Sequence, residues 1–183
     1  VLPLAAKWDK VGTLKAEVAK LSGSLLVTVA DTKADDATRL AAARSLIGLR
    51  GSDATILPAV VKQLAAAGTP GFQRGLIAAL GETDDATVGA ALAAAYARMP
   101  ADVQTPAFDT LLKRADWTVA FLDALKSKAV DVTTLGPTAI ARLRTHPDKG
   151  VAKRAGEMLE ELNPLTKAKK EAIARLLPVV EGK

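Results

Sequence analysis

An all-α fold, a right-handed superhelix of about five antiparallel helix pairs, is what this sequence predicts, and three observations carry the prediction. The first is an echo. "LRGSDATILPAVVKQL" from Leu49 is answered by "LGETDDATVGAALAAAY" from Leu80, "LKRADWTVAFLDAL" from Leu112 and "LRTHPDKGVAKRAGEML" from Leu143, starts about 31 residues apart. The second is an Asp, Ser, Thr or Asn ahead of apolar runs with i, i+3, i+4 spacing, such as Ile56, Leu57, Val60, Val61, Leu64 and Val119, Leu122, Leu125. The third is composition. The chain has 183 residues, 49% hydrophobic but only 3% aromatic, so its core must be built from small side chains on closely packed helices.

The elements follow from cap chemistry. A side-chain oxygen at the N-cap accepts a bond from an N–H of the first turn that has no helical partner. Asp53, Asp84, Asp116 and Asp148 stand at that place in the four echoes, and Asp35, Thr69, Asp102, Thr134 and Asn163 form an interleaved series advancing by about 29 to 34 residues. Helices are therefore expected over Trp8–Ala30, Asp35–Leu49, Asp53–Ala67, Pro70–Leu80, Asp84–Met99, Ala101–Arg114, Asp116–Ala129, Thr133–Thr145, Asp148–Leu162 and Pro164–Val179. Gly23 marks where the first would bend or break. Leu25 to Val29 has local β propensity, but the stripe Val11, Leu14, Val18, Leu21, Leu25 runs helically into it. Thr69-Pro70 and Asn163-Pro164 are starts in which proline removes an N–H that lacks a partner anyway. Pro58, Pro106 and Pro137 fall in or near first turns. One two-helix unit cannot bury its apolar face alone, whereas stacked units share a continuous core. The whole chain reads as a single domain: an N-terminal cap helix in residues 1–34, repeats over 35–162, and a C-terminal cap helix and linker over 163–183.

Composition narrows the chemistry. Without Cys, and with one His, the chain has no means of thiolate catalysis, covalent haem attachment or a His cluster for zinc. No apolar run reaches the roughly 18 to 20 residues that span a bilayer. No charged-then-apolar leader stands at Val1, and the chain reads as a piece of a longer polypeptide. The formal charge of +5 and pI near 9.5 suit nucleic acid or acidic lipid, but also an ordinary solvated helical face.

The unit "DDATRLAAARSLIGL", with Asp35 or Asp36, Arg39, Ala42, Ala43, Leu46 and Gly48, resembles the second helix of a HEAT-like repeat. "FQRGLIAALGE" and "DKGVAKRAGEML" are similar, and the resemblance covers about Asp35 to Leu162. The Trp-Leu-Gly-Tyr pattern of tetratricopeptide repeats is missing. More narrowly, "ATRLAAARSLIGL", "WTVAFLDALKSKAVD" and the ending "NPLTKAKKEAIARLLPVVEGK" resemble the helical segment of large planctomycete-type proteins. There a propeller-like dehydrogenase region, HEAT-like repeats and a c-type cytochrome domain with Cys-x-x-Cys-His follow one another. That motif is not in this chain, so the resemblance implies no cofactor on any of its residues. It implies partners among the other domains of a parent chain or a separate protein, and an exported or periplasmic setting.

Candidate sites were weighed against plainer roles. Asp116-Trp117 resembles the acid and aromatic that alkylpurine-type helical-repeat glycosylases set against a damaged base. Asp116 nevertheless shares its repeat position with Asp53, Asp84 and Asp148, so capping explains four residues at once, and Trp117 then fills a core or groove. Arg39, Arg74, Arg142 and Arg154 recur on second helices or their equivalents, where they could form a basic ladder. HEAT-like arrays use such a ladder to bond a neighbouring repeat's Asp. "KAKKEAIAR", Lys167 to Arg175, is either a phosphate-facing stretch or the polar outer face of a terminal cap. His146 in "RTHPD" reads as a turn residue, and Gly48 and Gly51 as helix ends rather than a phosphate cradle. No serine lies in a nucleophile-elbow pattern.

The expectation is therefore a non-enzymatic scaffold or protein-interaction module, with Arg39, Arg74, Arg142, Arg154 and Trp117 as interaction residues and no catalytic, cofactor or metal site. Two rivals remain. One is a nucleic-acid-binding or DNA-repair helical repeat; the other is a lyase or chaperone-like array holding a tetrapyrrole or a client protein.

Overall fold

A computed structural model describes residues 15–65 and 68–162. Among these residues the chain forms nine α-helices, one 3-10 turn and no strand. The helices are α1 Lys15–Ala30, α2 Asp36–Leu49, α3 Ile56–Ala65, α4 Pro70–Leu80, α5 Ala86–Tyr96, α6 Ala101–Leu111, α7 Ala115–Lys126, α8 Pro137–Arg144 and α9 Lys149–Glu161, with the 3-10 turn Val132–Thr134 between α7 and α8. The expected Pro164–Val179 helix and the start of Trp8–Ala30 lie outside the described residues.

Side-by-side packing joins helices that are next but one in sequence. α1, α3, α5, α7 and α9 pack in that order, and α2 packs on α4 and α4 on α6, while consecutive helices cross from one row to the other. Most helices bury their stripe against both kinds of neighbour, whereas α8 packs chiefly on α9. Leu46 and Leu49 of α2, Phe72, Leu76 and Leu80 of α4, Val88 and Leu92 of α5, and Trp117, Phe121 and Leu122 of α7 are all buried in one continuous core. Burial of this kind stabilises by roughly 1.5–3 kcal/mol per large aliphatic side chain. Three aromatic rings meet in this core: Phe121 meets Tyr96 edge-on with centroids 5.0 Å apart and Phe108 at 5.6 Å.

Local chemistry sets the boundaries, and in several places it differs from the repeat register. α1 runs unbroken through Gly23 and the β-prone Leu25 to Val29. Pro70–Leu80 begins at Thr69, whose side chain accepts from the Phe72 N–H. α2 is capped by Asp35 through the Thr38 N–H, and α9 by Asp148 through the Val151 N–H at 3.0 Å.

Asp84 is not the cap of α5. The neighbouring Asp85 takes that role, accepting from the Thr87 N–H at 2.8 Å and the Thr87 hydroxyl at 2.6 Å from the extended backbone that directly precedes the helix. Asp116 is not a cap either. Arg114 (φ −135°, ψ 141°) precedes α7, and Asp116 lies inside the first turn, where its charge suits the positive helix end. Asp53 caps a turn ahead of α3: it accepts from the Thr55 N–H at 2.8 Å, and the helix begins only at Ile56.

Two of the second series also shift. α6 opens at Ala101 after Pro100, with Asp102 in its first turn. The expected helix Thr133–Thr145 is divided into a 3-10 turn and α8, because a residue before proline is pushed out of the helical region; Leu135 and Gly136 are both extended, and Pro137 restarts the helix. Beyond α7, Lys128 sits at φ 61°, a left-handed residue that ends the helix in the place usually given to glycine.

Candidate functional site

Arg39, Arg74, Arg142 and Arg154 do not form an open ladder. Arg39 is 3% exposed: its Nε donates to the Val29 carbonyl at 3.0 Å and its guanidinium carbon lies 3.8 Å from the Phe72 ring centroid. A guanidinium stacked on an aromatic face and bonded to a carbonyl serves as a buried tie between α1, α2 and α4. Arg74 of α4 is paired with Asp102 of α6, and Arg154 of α9 with Asp123 of α7. Arg142 of α8 donates to Asp109 of α6 at 2.6 Å. Arg39 therefore leaves the candidate interaction surface, and the other three are half-exposed but engaged.

Trp117 also leaves it. The side chain is fully buried, and the indole N–H donates to the Asp85 carbonyl at 3.0 Å, tying α7 to the cap of α5. Gly89 makes this seat: a Cβ there would stand 2.5 Å from Trp117 Cδ1 and 2.7 Å from its Cα. Asp116 is held by Arg114 in a two-point pair at 2.9 and 3.0 Å, and that guanidinium keeps its carboxyl below the usual range. This acid and indole thus offer no open face on which a base could stack.

The same polar logic links other neighbours. The Thr69 hydroxyl donates to the Asp36 carboxylate, joining the starts of α2 and α4, and Arg50 lies 3.6 Å from Asp84. His146 is 9% exposed; its Nδ1 accepts from the Asp148 N–H at 3.1 Å while its Nε2 lies 3.2 Å from the Thr118 hydroxyl. Of the groups that meet Thr69, Arg74, Arg142, Arg154 and His146, the sequence marked Asp36 and Asp102 only as residues near helix starts, and Asp109, Asp123 and Thr118 carried no signal there beyond lying about 28 to 33 residues from the group they meet.

Hydrogen bonds set the capping carboxylates. Asp85, Asp53 and Asp35 are held below the ordinary carboxylate range: Asp85 and Asp35 chiefly by the hydroxyls of Thr87 and Thr38, and Asp53 chiefly by the Thr55 N–H. Asp131 is lowered likewise by the Thr133 N–H. These are structural carboxylates, each with its charge already committed. Among the described residues no group of three His, Cys, Asp or Glu side chains is arranged to hold a metal ion, and no helix is long and apolar enough to cross a membrane.

Several surface concavities lie among the described residues, one of about 630 Å³ beside Thr32, Asp35, Asp36 and Thr69. An open groove of about 600 Å³ between α3 and α5 is lined by Pro58, Val61, Ala91, Ala94 and Ala95, with Lys62 and Arg98 on its rim. A smaller cleft, of about 280 Å³, lies where α5 ends beside α6 and α8, with Tyr96, Gln104, Phe108 and Arg142 in its wall. Burial pushes the Tyr96 phenol up. Sequence reasoning offered none of these lining residues as a functional candidate except Arg142.

No family model, no curated protein and no solved structure matches this chain.

Proposed function

We propose that this chain is a HEAT-like right-handed solenoid of about five helix pairs acting as a non-enzymatic scaffold or protein-interaction module. The observation that supports it most is the way neighbouring units are joined. Helices next but one in sequence pack side by side, and the Asp36–Thr69, Arg74–Asp102, Asp109–Arg142 and Asp123–Arg154 contacts each bridge residues about one repeat apart. A core shared between units and polar ties at their junctions hold a surface in one shape before any partner arrives, which lowers the ordering cost of binding.

By its resemblance, the array would be the spacer beside a c-type cytochrome domain in a larger exported dehydrogenase-like protein. Reading the parent frame beyond Lys183 tests this: a Cys-x-x-Cys-His within the next few dozen residues supports the haem neighbour, and its absence removes it. The scaffold role is tested by cross-linking the intact parent polypeptide through exposed lysines such as Lys62 and Lys153. Reproducible links to an adjoining domain or a defined second protein are expected, and a chain linked only to itself would overturn the reading.

The alternative, a nucleic-acid-binding or repair protein, draws its support from the +5 charge. Between Lys15 and Leu162, however, basic and acidic residues nearly balance, and most of the excess lies in the terminal stretches, above all Lys167 to Lys183. With Arg74, Arg142 and Arg154 each facing an aspartate, the region's small net charge draws DNA only weakly, and these three arginines are already engaged.

A further inference from the structure

Among the described helices α5 alone carries no charged side chain: Ala86–Tyr96 reads ATVGAALAAAY. A helix apolar on all sides is expected to be covered on all sides. α3, α6 and α7 cover part of α5, and the rest opens into the groove of about 600 Å³ that it forms with α3. Ala90 and Ala94 are exposed there and Ala91 and Ala95 half-buried, with Pro58 and Val61 of α3 in the other wall.

Charge stands only at the ends of this helix and on the groove's rim. Asp84 precedes α5 with its side chain 84% exposed and Arg50 at 3.6 Å as a loose partner. Arg98 follows α5, is exposed, and forms no salt bridge among the described residues. Between them Thr87, Ala90, Ala91, Ala94 and Ala95 recur with helical spacing over about 12 Å.

That order is self-complementary when a second copy is turned end for end. With Ala91 set against Ala94 of the second copy, Ala90 meets Ala95 and Thr87 meets Arg98, each pair occurring twice as a two-fold interface requires. Arg98 then lies about one turn from Asp84 of the second copy, whereas a parallel pair would set Arg98 on Arg98 and Asp84 on Asp84.

We propose that the groove between α3 and α5 is the contact of a two-fold dimer, in which α5 of a second copy lies antiparallel on α5, with Arg98–Asp84 pairs closing both ends. Charge selects this occupant. An acidic helix of another protein would suit Lys62 and Arg98 but set like charge against Asp84, and a basic one would do the reverse, whereas α5 itself matches both ends. One helix pair buries less than the roughly 1,200–2,000 Å² of stable complexes, so the dimer is weak, with Kd between about 1 μM and 1 mM.

Sedimentation equilibrium of the full chain from about 10 μM to 1 mM tests this. The weight-average mass should rise from 19.0 kDa towards twice that value. Ala94→Glu puts a charge into each half of the contact and should weaken association about tenfold or more, with helical content and Tm unchanged. Arg98→Asp and Asp84→Arg should each weaken it about threefold, and the two together should restore it. A mass fixed at 19.0 kDa throughout, as a groove filled by another segment of the chain or by a different protein would give, overturns the dimer and leaves the scaffold reading, which cross-linking tests separately, standing. Association that Ala94→Glu leaves intact, or that the charge exchange fails to restore, overturns it as well.

Discussion

Arg142 of α8 and Asp109 of α6 meet at 2.6 Å across the junction of two helices, with the Arg142 guanidinium also over the Phe108 ring. Both side chains are about half exposed, 45% and 50%, so solvent and salt screen their attraction. Asp109→Asn and Arg142→Gln are each expected to lower stability by about 0.2–1 kcal/mol, and the Arg142→Asp, Asp109→Arg exchange to recover part of it. Chemical denaturation of the two singles and the exchange checks this; a loss several times larger would show that the pair is desolvated.

The two adjacent aspartates at the start of α5 should differ sharply. Asp85→Ala is expected to cost about 1 kcal/mol through the lost Thr87 contacts, and Asp84→Ala less than about 0.5. Since the folded-state pKa of Asp85 is depressed, its contribution is fully present above the unfolded value near 3.8 and is lost as pH falls through the lower folded value. Thermal unfolding between neutral and strongly acidic pH should therefore show Asp85→Asn losing less stability than the parent chain on acidification.

That contrast also shows what the sequence could and could not disclose. Helix type was legible because Ala, Leu and Val recur with helical spacing and because Thr69-Pro70 and Asp148 carry unambiguous start chemistry. Asp84 and Asp85 were indistinguishable, since only backbone conformation decides which of two neighbouring carboxylates precedes the first turn. Asp116 was misplaced because the repeat register, extrapolated from the other echoes, runs two residues past the actual cap position at Arg114. Burial of Arg39 was hidden for another reason: a charged side chain becomes interior only when a carbonyl such as that of Val29 from a distant turn receives its N–H, and Trp117, legible as a core or groove filler, did not disclose the Asp85 carbonyl it donates to. The cleft around Tyr96 was illegible, being assembled from three helices and a 3-10 turn.

Two helical glycines are expected to respond in opposite directions. Gly89→Ala would force a Cβ against the buried Trp117 and should destabilise by about 1–3 kcal/mol. At Gly156, in α9, a Cβ meets nothing within 4 Å, so Gly156→Ala should stabilise by about 0.4–1 kcal/mol through helix propensity and the unfolded chain. Denaturation midpoints of the two variants measure both effects, and a stabilised Gly89→Ala would refute the Trp117 seat.

His146 should be a single tautomer. Its Nδ1 accepts from the Asp148 N–H, so in the neutral ring the proton resides on Nε2 and is donated to Thr118 Oγ1, whose own proton goes to the Leu111 or Arg114 carbonyl, both at 2.9 Å. As the chain has one His, imidazole ¹⁵N shifts in neutral solution report this without ambiguity. A proton found on Nδ1 would mean that the α7 to α9 connection is wrongly described.

The central claim is that the repeat arginines join neighbouring units of a scaffold instead of receiving phosphate. Titration of the chain with duplex DNA across a salt series tests it most directly, alongside a variant carrying Arg74→Gln, Arg142→Gln and Arg154→Gln. The account predicts that any low-salt binding, such as that of the basic stretch Lys167 to Arg175, is unchanged in the variant, whose stability alone falls. Binding that weakens steeply with salt and loses about one unit of log–log slope for each arginine removed would contradict it.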